Sequence, residues 1–183
     1  MHFEKVCFSY GDKIVFDGLD IDIPDTGITA VSGASGCGKT TLLRLIAGLE
    51  RPGSGRIDAP AQDRIAFLFQ EDRLLPGVSA SDQLRIAVPG CDAAEWLRRV
   101  ELDGEEETMP EELSGGMKRR LSLARCLAYA QDKELVMLDE PFAGVDPGRI
   151  VRLAELIRSL KIPIMITSHT REAIEMADRV VEL

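Results

Sequence analysis

The sequence predicts an α/β fold: a parallel sheet with helices, an antiparallel β layer ahead of it, and a small helical lobe set along the way. Three observations predict it. Short apolar runs alternate with helix-like segments, at Ile28 to Val31, Arg64 to Phe69, Glu134 to Asp139 and Ile162 to Thr167. A glycine loop, Gly33 to Thr40, joins the first of these runs to a helix. Residues 3–8 and 19–23 have strand patterns, the second alternating as Leu19-Asp20-Ile21-Asp22-Ile23, which reads as an antiparallel layer.

The elements follow in order. Ile28-Thr29-Ala30-Val31 reads as a short buried strand, and Thr41-Leu42-Leu43-Arg44-Leu45-Ile46-Ala47 as a helix stopped near Gly48. Arg51-Pro52-Gly53-Ser54-Gly55 is a turn cluster. Residues 79–101 read as two short helices, with Ser79 and Asp82, then Asp92 and Glu95, in capping-box spacing. Residues 101–112 hold seven acidic side chains and no basic ones, the pattern of a solvated surface. A long helix spans about 115–130, and Asp146-Pro147 opens another as N-cap and first-turn proline. A last helix and the strand Arg179-Val180-Val181-Glu182 end the pattern.

The 183 residues amount to one domain's worth of core. A net charge of −9, from 22 basic and 31 acidic residues, argues against nucleic acid or an anionic membrane surface as main partner. No apolar stretch is long enough to span a bilayer, and Met1-His2-Phe3-Glu4-Lys5 does not open a signal peptide. A solute path across a membrane would therefore belong to another chain. Cys7, Cys37, Cys91 and Cys126 form no C-x-x-C pair, which fits a reducing cytoplasm. Cys37 reads as a small residue tolerated in the loop, with a redox-sensitive thiol as the alternative. Two histidines rule out a histidine-based metal cluster.

Gly33-Ala34-Ser35-Gly36-Cys37-Gly38-Lys39-Thr40 fits G-x-x-x-x-G-K-[ST] in its required strand–loop–helix setting, the mark of a P-loop NTPase core. Glycines let backbone N–H groups turn inward around phosphate oxygens. The helix opening at Thr41 adds its positive dipole end. Lys39 can reach the β- and γ-phosphates and the Thr40 hydroxyl can ligate Mg2+. Downstream, Leu135-Val136-Met137-Leu138-Asp139-Glu140 is an apolar strand ending in acids. Asp139 falls where ligands collect in α/β sheets. Glu140 would face the γ-phosphate, where a carboxylate can orient and deprotonate water.

With Leu113-Ser114-Gly115-Gly116-Met117 added, the chain resembles the ATP-binding-cassette ATPases, specifically the nucleotide-binding subunits of ABC transporters. The resemblance spans nearly the whole chain. It implies the ABC ATPase fold as one domain over 1–183, with 1–69 and 131–183 forming the nucleotide-binding core and 70–130 a reduced helical subdomain carrying the signature. It implies ATP and Mg2+ as cofactors. Tyr10 matches the aromatic that stacks on adenine. Gln70 matches the glutamine that touches Mg2+ and water. Asp146, in Ala143-Gly144-Val145-Asp146, matches the loop that crosses to a partner subunit. His169, in Thr167-Ser168-His169-Thr170, matches the switch histidine on the γ-phosphate. Ser114, Gly115 and Gly116 would serve the nucleotide of an opposite subunit, so ATP joins two subunits and hydrolysis releases them. One copy of each motif calls for a partner: a second copy of this chain, or another ABC ATPase.

Met117 stands where the family signature usually has Gln. Signatures ending in Met resemble the importers of nitrate, sulfonates and taurine, as do Gln70-Glu71-Asp72-Arg73-Leu74-Leu75-Pro76 and Asp139-Glu140-Pro141-Phe142. Gly77 departs from the Trp common there. The stretch from Gln70 to the signature is shorter than in typical importers, and the end of the sequence just past its last core strand leads us to expect no C-terminal regulatory domain. The resemblance implies an ATPase that powers import through membrane permease subunits. It would be peripheral on the cytoplasmic face and supplied by an extracytoplasmic substrate-binding protein. Two other readings stand beside it: a soluble ABC ATPase of cofactor assembly, and a nucleotide-sensing module without turnover. Lys39, Asp139, Glu140 and His169, all present, speak against the last.

Overall fold

The computed structural model describes residues 1–168 and 170–183. Its first strands are β1 (His2–Tyr10) and β2 (Lys13–Asp22), then, after β3 (Ile28–Ser32) and helix α1 (Lys39–Ile46), β4 (Ser54–Asp58). β2, β1 and β4 form one antiparallel sheet in that order. The alternation at 19–23 marks only the far end of β2. The strand starts at Lys13, which pairs with Tyr10 across a two-residue turn at Gly11, φ 56°. Phe8 and Phe16 face each other there, both buried.

β4 is a strand the sequence pattern missed. Its residues, Ser-Gly-Arg-Ile-Asp, are exposed except for half-buried Ile57, so no alternation marks it. Pairing with β1 makes it a strand, Phe3 opposite Ile57. Gly55, φ 85°, has no room for a Cβ against the Lys5 carbonyl, so the close approach depends on glycine.

The second sheet adds β5 (Ile65–Leu68), β6 (Leu135–Asp139), β7 (Ile164–Thr167) and β8 (Arg179–Glu182) to β3. It is parallel throughout in the order β5-β6-β7-β3-β8. β6 is buried along its whole length, as expected of a strand covered on both faces. Register places Asp139 opposite Thr167 at the C-terminal end. Phe3, Val6, Phe16, Val31, Leu42, Met137 and Met165 close one apolar core between the two sheets and α1.

Helices α2 (Ala80–Ala87), α3 (Ala93–Arg99) and α4 (Gly115–Tyr129) pack together through Leu84, Leu97, Leu121 and Leu127, all fully buried. Only the N-cap half of each predicted capping box is made: Ser79 Oγ accepts from Asp82 N at 3.3 Å and Asp92 Oδ1 from Glu95 N at 3.0 Å. The Asp82 and Glu95 carboxylates pair with Arg85, and with Arg98 and Arg99. The acidic stretch 101–112 is more than a solvated surface. Leu102 and Pro110 are buried, and the carbonyls of Glu106 and Thr108 accept from Ser81 N and Ala80 N at the start of α2. Glu101, φ 57°, pairs with Arg149 and Arg152. Arg152 chiefly, then Arg149, holds its carboxyl below the usual range against the opposing effect of burial. α5 (Pro147–Arg158) and α6 (Arg171–Glu175) complete the fold. Among the described residues no helix is long and apolar enough to cross a membrane.

Candidate functional site

The loop between β3 and α1 turns on glycines. Gly33, Gly36 and Gly38 have φ 146°, 81° and 110°. Gly38 is doubly constrained: a Cβ there would lie 2.9 Å from both Phe16 and Val15. It is the N-cap of α1, which has no side-chain cap, so its first backbone N–H groups are left to a ligand. Lys39 is 8% exposed and donates from Nζ to the carbonyls of Gly33 (2.9 Å) and Ala34 (3.1 Å). The ammonium is thus held inside the curl of the loop. A Cβ on Gly33 would lie 2.7 Å from Cys37 Sγ, so Cys37 packs against the loop's first residue.

Beside the loop opens a cleft of about 320 Å3. It is lined by Ser35, Gly36, Gly38, Lys39, Thr40 and Thr41 of the loop and α1, by Gln70, Asp139 and Glu140, and by Tyr10, Lys13 and Val15 of the β1–β2 hairpin. Tyr10 is 42% exposed, its ring edge-to-face with Phe8 at 4.8 Å and its hydroxyl 3.3 Å from Glu50 Oε1. It offers a propped aromatic face at the cleft.

Asp139 ends β6 at 2% exposure. Its Oδ1 accepts from Thr167 Oγ1 at 2.6 Å, while Oδ2 is buried with no hydrogen-bond partner among the described residues. A buried carboxylate oxygen left so costs several kcal/mol unless a cation meets it (of order 1–3 kcal/mol or more). With the Thr40 hydroxyl and the Gln70 amide on the same cleft, the donors are all oxygen, as Mg2+ requires. No cluster of three or more His, Cys, Asp or Glu side chains that could hold a metal exists among the described residues. The oxygen donors suit a cation that also takes phosphate oxygens as ligands.

Glu140 follows at φ 51°, a left-handed conformation that costs a non-glycine residue about 1–3 kcal/mol. It is over-determined there: its N–H donates to Thr167 O (3.0 Å) and Thr167 Oγ1 (3.2 Å), and its carbonyl accepts from Arg119 Nε (3.0 Å). The strained turn directs Glu140 into the cleft.

Ser114, Gly115, Gly116 and Asp146 do not line this cleft. Ser114 caps α4 by accepting from Met117 N at 3.3 Å. Asp146 caps α5 by accepting from Arg149 N at 3.2 Å and pairs with the Arg149 guanidinium at 2.5 Å. Burial raises the Asp146 pKa and the Arg149 bonds lower it; the net direction is down. Gly116 packs on Gly144, whose carbonyl would lie 2.5 Å from a Cβ at 116. The first turn of α4 and the loop at Gly144 are thus fitted against each other within one chain. Met117 is half-buried against the core, so its apolar side chain has a packing role. His169 lies outside the described residues. Sequence reasoning missed Lys13 and Val15, which only the β1–β2 hairpin brings to the cleft, and Thr167, detectable as the residue ending the strand beside β6.

A cleft with a glycine cradle, a captive ammonium, a buried acid with one open oxygen and a second acid beside it can bind a nucleoside triphosphate with Mg2+ and attack it with water. The sequence profile described as ABC transporter matches residues 16–143. The chain is 39% identical to the aliphatic sulfonates import ATP-binding protein SsuB 1 of Mesorhizobium japonicum, covering 98% of this chain and 73% of that one. It is 40% identical to the aliphatic sulfonates import ATP-binding protein SsuB of Zymomonas mobilis, covering 98% and 80%. Among solved structures, it superposes on an ATP-binding subunit of an ABC transporter with TM-score 0.86 at 23% identity, covering 100% of this chain and 85% of that one. It superposes on a dimeric post-hydrolysis state of an ATP-binding cassette bound to ADP and Pi with TM-score 0.83 at 22% identity, covering 100% and 93%. These likenesses show the fold.

Proposed function

Because the chain belongs to the ABC transporter family, we propose that it is the ATP-hydrolysing, nucleotide-binding subunit of a solute importer, working as an ATP-joined dimer beneath separate permease subunits. The observation that carries the reading is the convergence, in one cleft, of the Gly33–Thr40 loop, the open oxygen of Asp139 and Glu140. The loop amides and Lys39 bind the phosphates. Tyr10 stacks on the adenine. Asp139, Thr40 and Gln70 would hold Mg2+, which neutralises charge building on the phosphate oxygens. Glu140 orients the attacking water and takes its proton, and we assign His169 to the γ-phosphate. Ser114, Gly115 and Gly116 present a hydroxyl and a helix N-terminus to the nucleotide of a second copy, with Asp146 at the same contact. The exposure of Ser114, Gly115 and Asp146, and the absence of all four residues from the lining of their own cleft, support that assignment.

For the permease contact we assign a second cleft, of about 200 Å3, lined by Phe67, Phe69, Asp72, Arg125 and Tyr129. It lies against the Gln70 segment, where a docked chain would feel the nucleotide state. A permease there puts this subunit on the cytoplasmic face. The relatives named for aliphatic sulfonate import make organosulfonates the solute class we propose.

The test is a pull-down of tagged Glu140→Gln from native-cell membranes with MgATP, read by mass spectrometry. A polytopic membrane protein in the eluate supports the reading and leads to the solute. Soluble partners alone would replace it with a cassette of cofactor assembly.

A further inference from the structure

Arg119 stands on α4, one turn beyond Gly115 and Gly116, at 2% exposure. Its guanidinium binds four backbone carbonyls. It donates to Phe69 O (2.7 Å) and Gln70 O (3.3 Å) past the end of β5, and to Asp139 O and Glu140 O (3.0 Å) at the end of β6. Its carboxylate partner is Asp72, at 3.2 Å. The β5–β6 ladder ends at the pair Leu68–Leu138. Beyond that pair Arg119 links the residues that follow the two strands. A guanidinium suits this task, because its rigid planar fork of five donors can span two strand ends, whereas an ammonium is a point donor on a flexible stem.

We propose that Arg119 is a positioning residue for ATP hydrolysis, setting the Gln70 segment and the Asp139-Glu140 turn relative to each other from the helix that opens at Ser114. The inference rests on the reading of Gln70, Asp139 and Glu140 given above and deepens it. The side chain does not line the cleft and acts through carbonyls. Because α4 begins at the surface assigned to the second copy, a shift of its first turn reaches both the Gln70 segment and the Asp139-Glu140 turn through one side chain.

Three variants of the full chain test this: Arg119→Gln, Arg119→Lys and, as a control, Glu140→Gln. Each is measured for melting temperature, for MgATP affinity at equilibrium and for kcat per nucleotide-binding molecule. Misplacement by about 1 Å lowers rate about 10²-fold. Arg119→Gln is expected to lose that much kcat while ATP affinity holds, because the Arg119 bonds go to carbonyls outside the phosphate loop. Arg119→Lys is expected to fall between it and the parent. A purely structural role would lower the melting temperature and the binding-competent fraction but leave kcat per competent molecule intact, and that result overturns the proposal. So does a parental kcat for Arg119→Lys, which remains decisive where Arg119→Gln does not fold. Glu140→Gln turning over at the parental rate would instead overturn the underlying reading of the cleft.

Discussion

Gly116→Ala is expected to weaken the protein and its turnover for a reason internal to one chain. A Cβ at 116 would lie 2.5 Å from the Gly144 carbonyl oxygen, against 3.4 Å for the start of ordinary contact, so the two must separate by about 0.9 Å. Neither side yields easily: Gly116 sits in the first turn of α4, and Gly144 holds a left-handed turn at φ 69°. Overpacking of this kind costs about 1–3 kcal/mol. For a domain of this length that is a fall in Tm of about 2–12 °C. A displacement near 1 Å at the residues proposed to meet a second nucleotide is expected to lower kcat about 10²-fold, with ATP affinity of the single chain unchanged. Gly115→Ala is the matched control, since a Cβ there meets nothing within 4 Å. It should keep or slightly raise Tm, alanine being about 0.5–1 kcal/mol better than glycine in a helix. Calorimetry and steady-state phosphate release on both variants decide the matter. Equal Tm for Gly116→Ala and Gly115→Ala would refute the packing argument.

Lys39→Ala removes the ammonium held by the Gly33 and Ala34 carbonyls. It should abolish measurable ATP binding by equilibrium titration, while unchanged affinity would contradict the phosphate cradle. Burial pushes the Cys126 thiol from the ordinary 9.0 up to about 12, a thiolate fraction roughly a thousandfold lower at pH 8. Alkylation followed by mass spectrometry should therefore spare Cys126 in the native protein and label it only after unfolding. Arg152 and Arg149 depress the Glu101 pKa below 4.5, so the stability that this carboxylate adds is present above pH 4.5 and lost as pH falls through its lower folded value. The partners are 61% and 44% exposed, which holds the gain to about 1 kcal/mol or less. The Tm difference between the parent and Glu101→Gln should accordingly shrink from pH 6 to pH 3, and a constant difference would show that the ion pairs do not carry it.

What the sequence disclosed was local chemistry. The glycine loop, Lys39, Thr40 and the Asp139-Glu140 strand end are contiguous stretches whose conformation follows from neighbours in the chain. Long-range partners left no such trace. Arg119 reads as one more cation in Lys118-Arg119-Arg120, because its acceptors are carbonyls 49 and 50 residues upstream and 20 and 21 downstream. β4 lacks alternation because its pairing with β1 and the bare Cα of Gly55, not side-chain burial, make it a strand. The acidic stretch looked solvated because its buried Leu102 and its carbonyl bonds to the start of α2 are invisible in a charge pattern.

In the proposed cycle ATP joins two copies of this chain. The check is light scattering of Glu140→Gln with saturating MgATP, and separately with MgADP. The expected mass is twice the 20.1 kDa of one chain with ATP and the single-chain mass with ADP. A single-chain mass in both would contradict it.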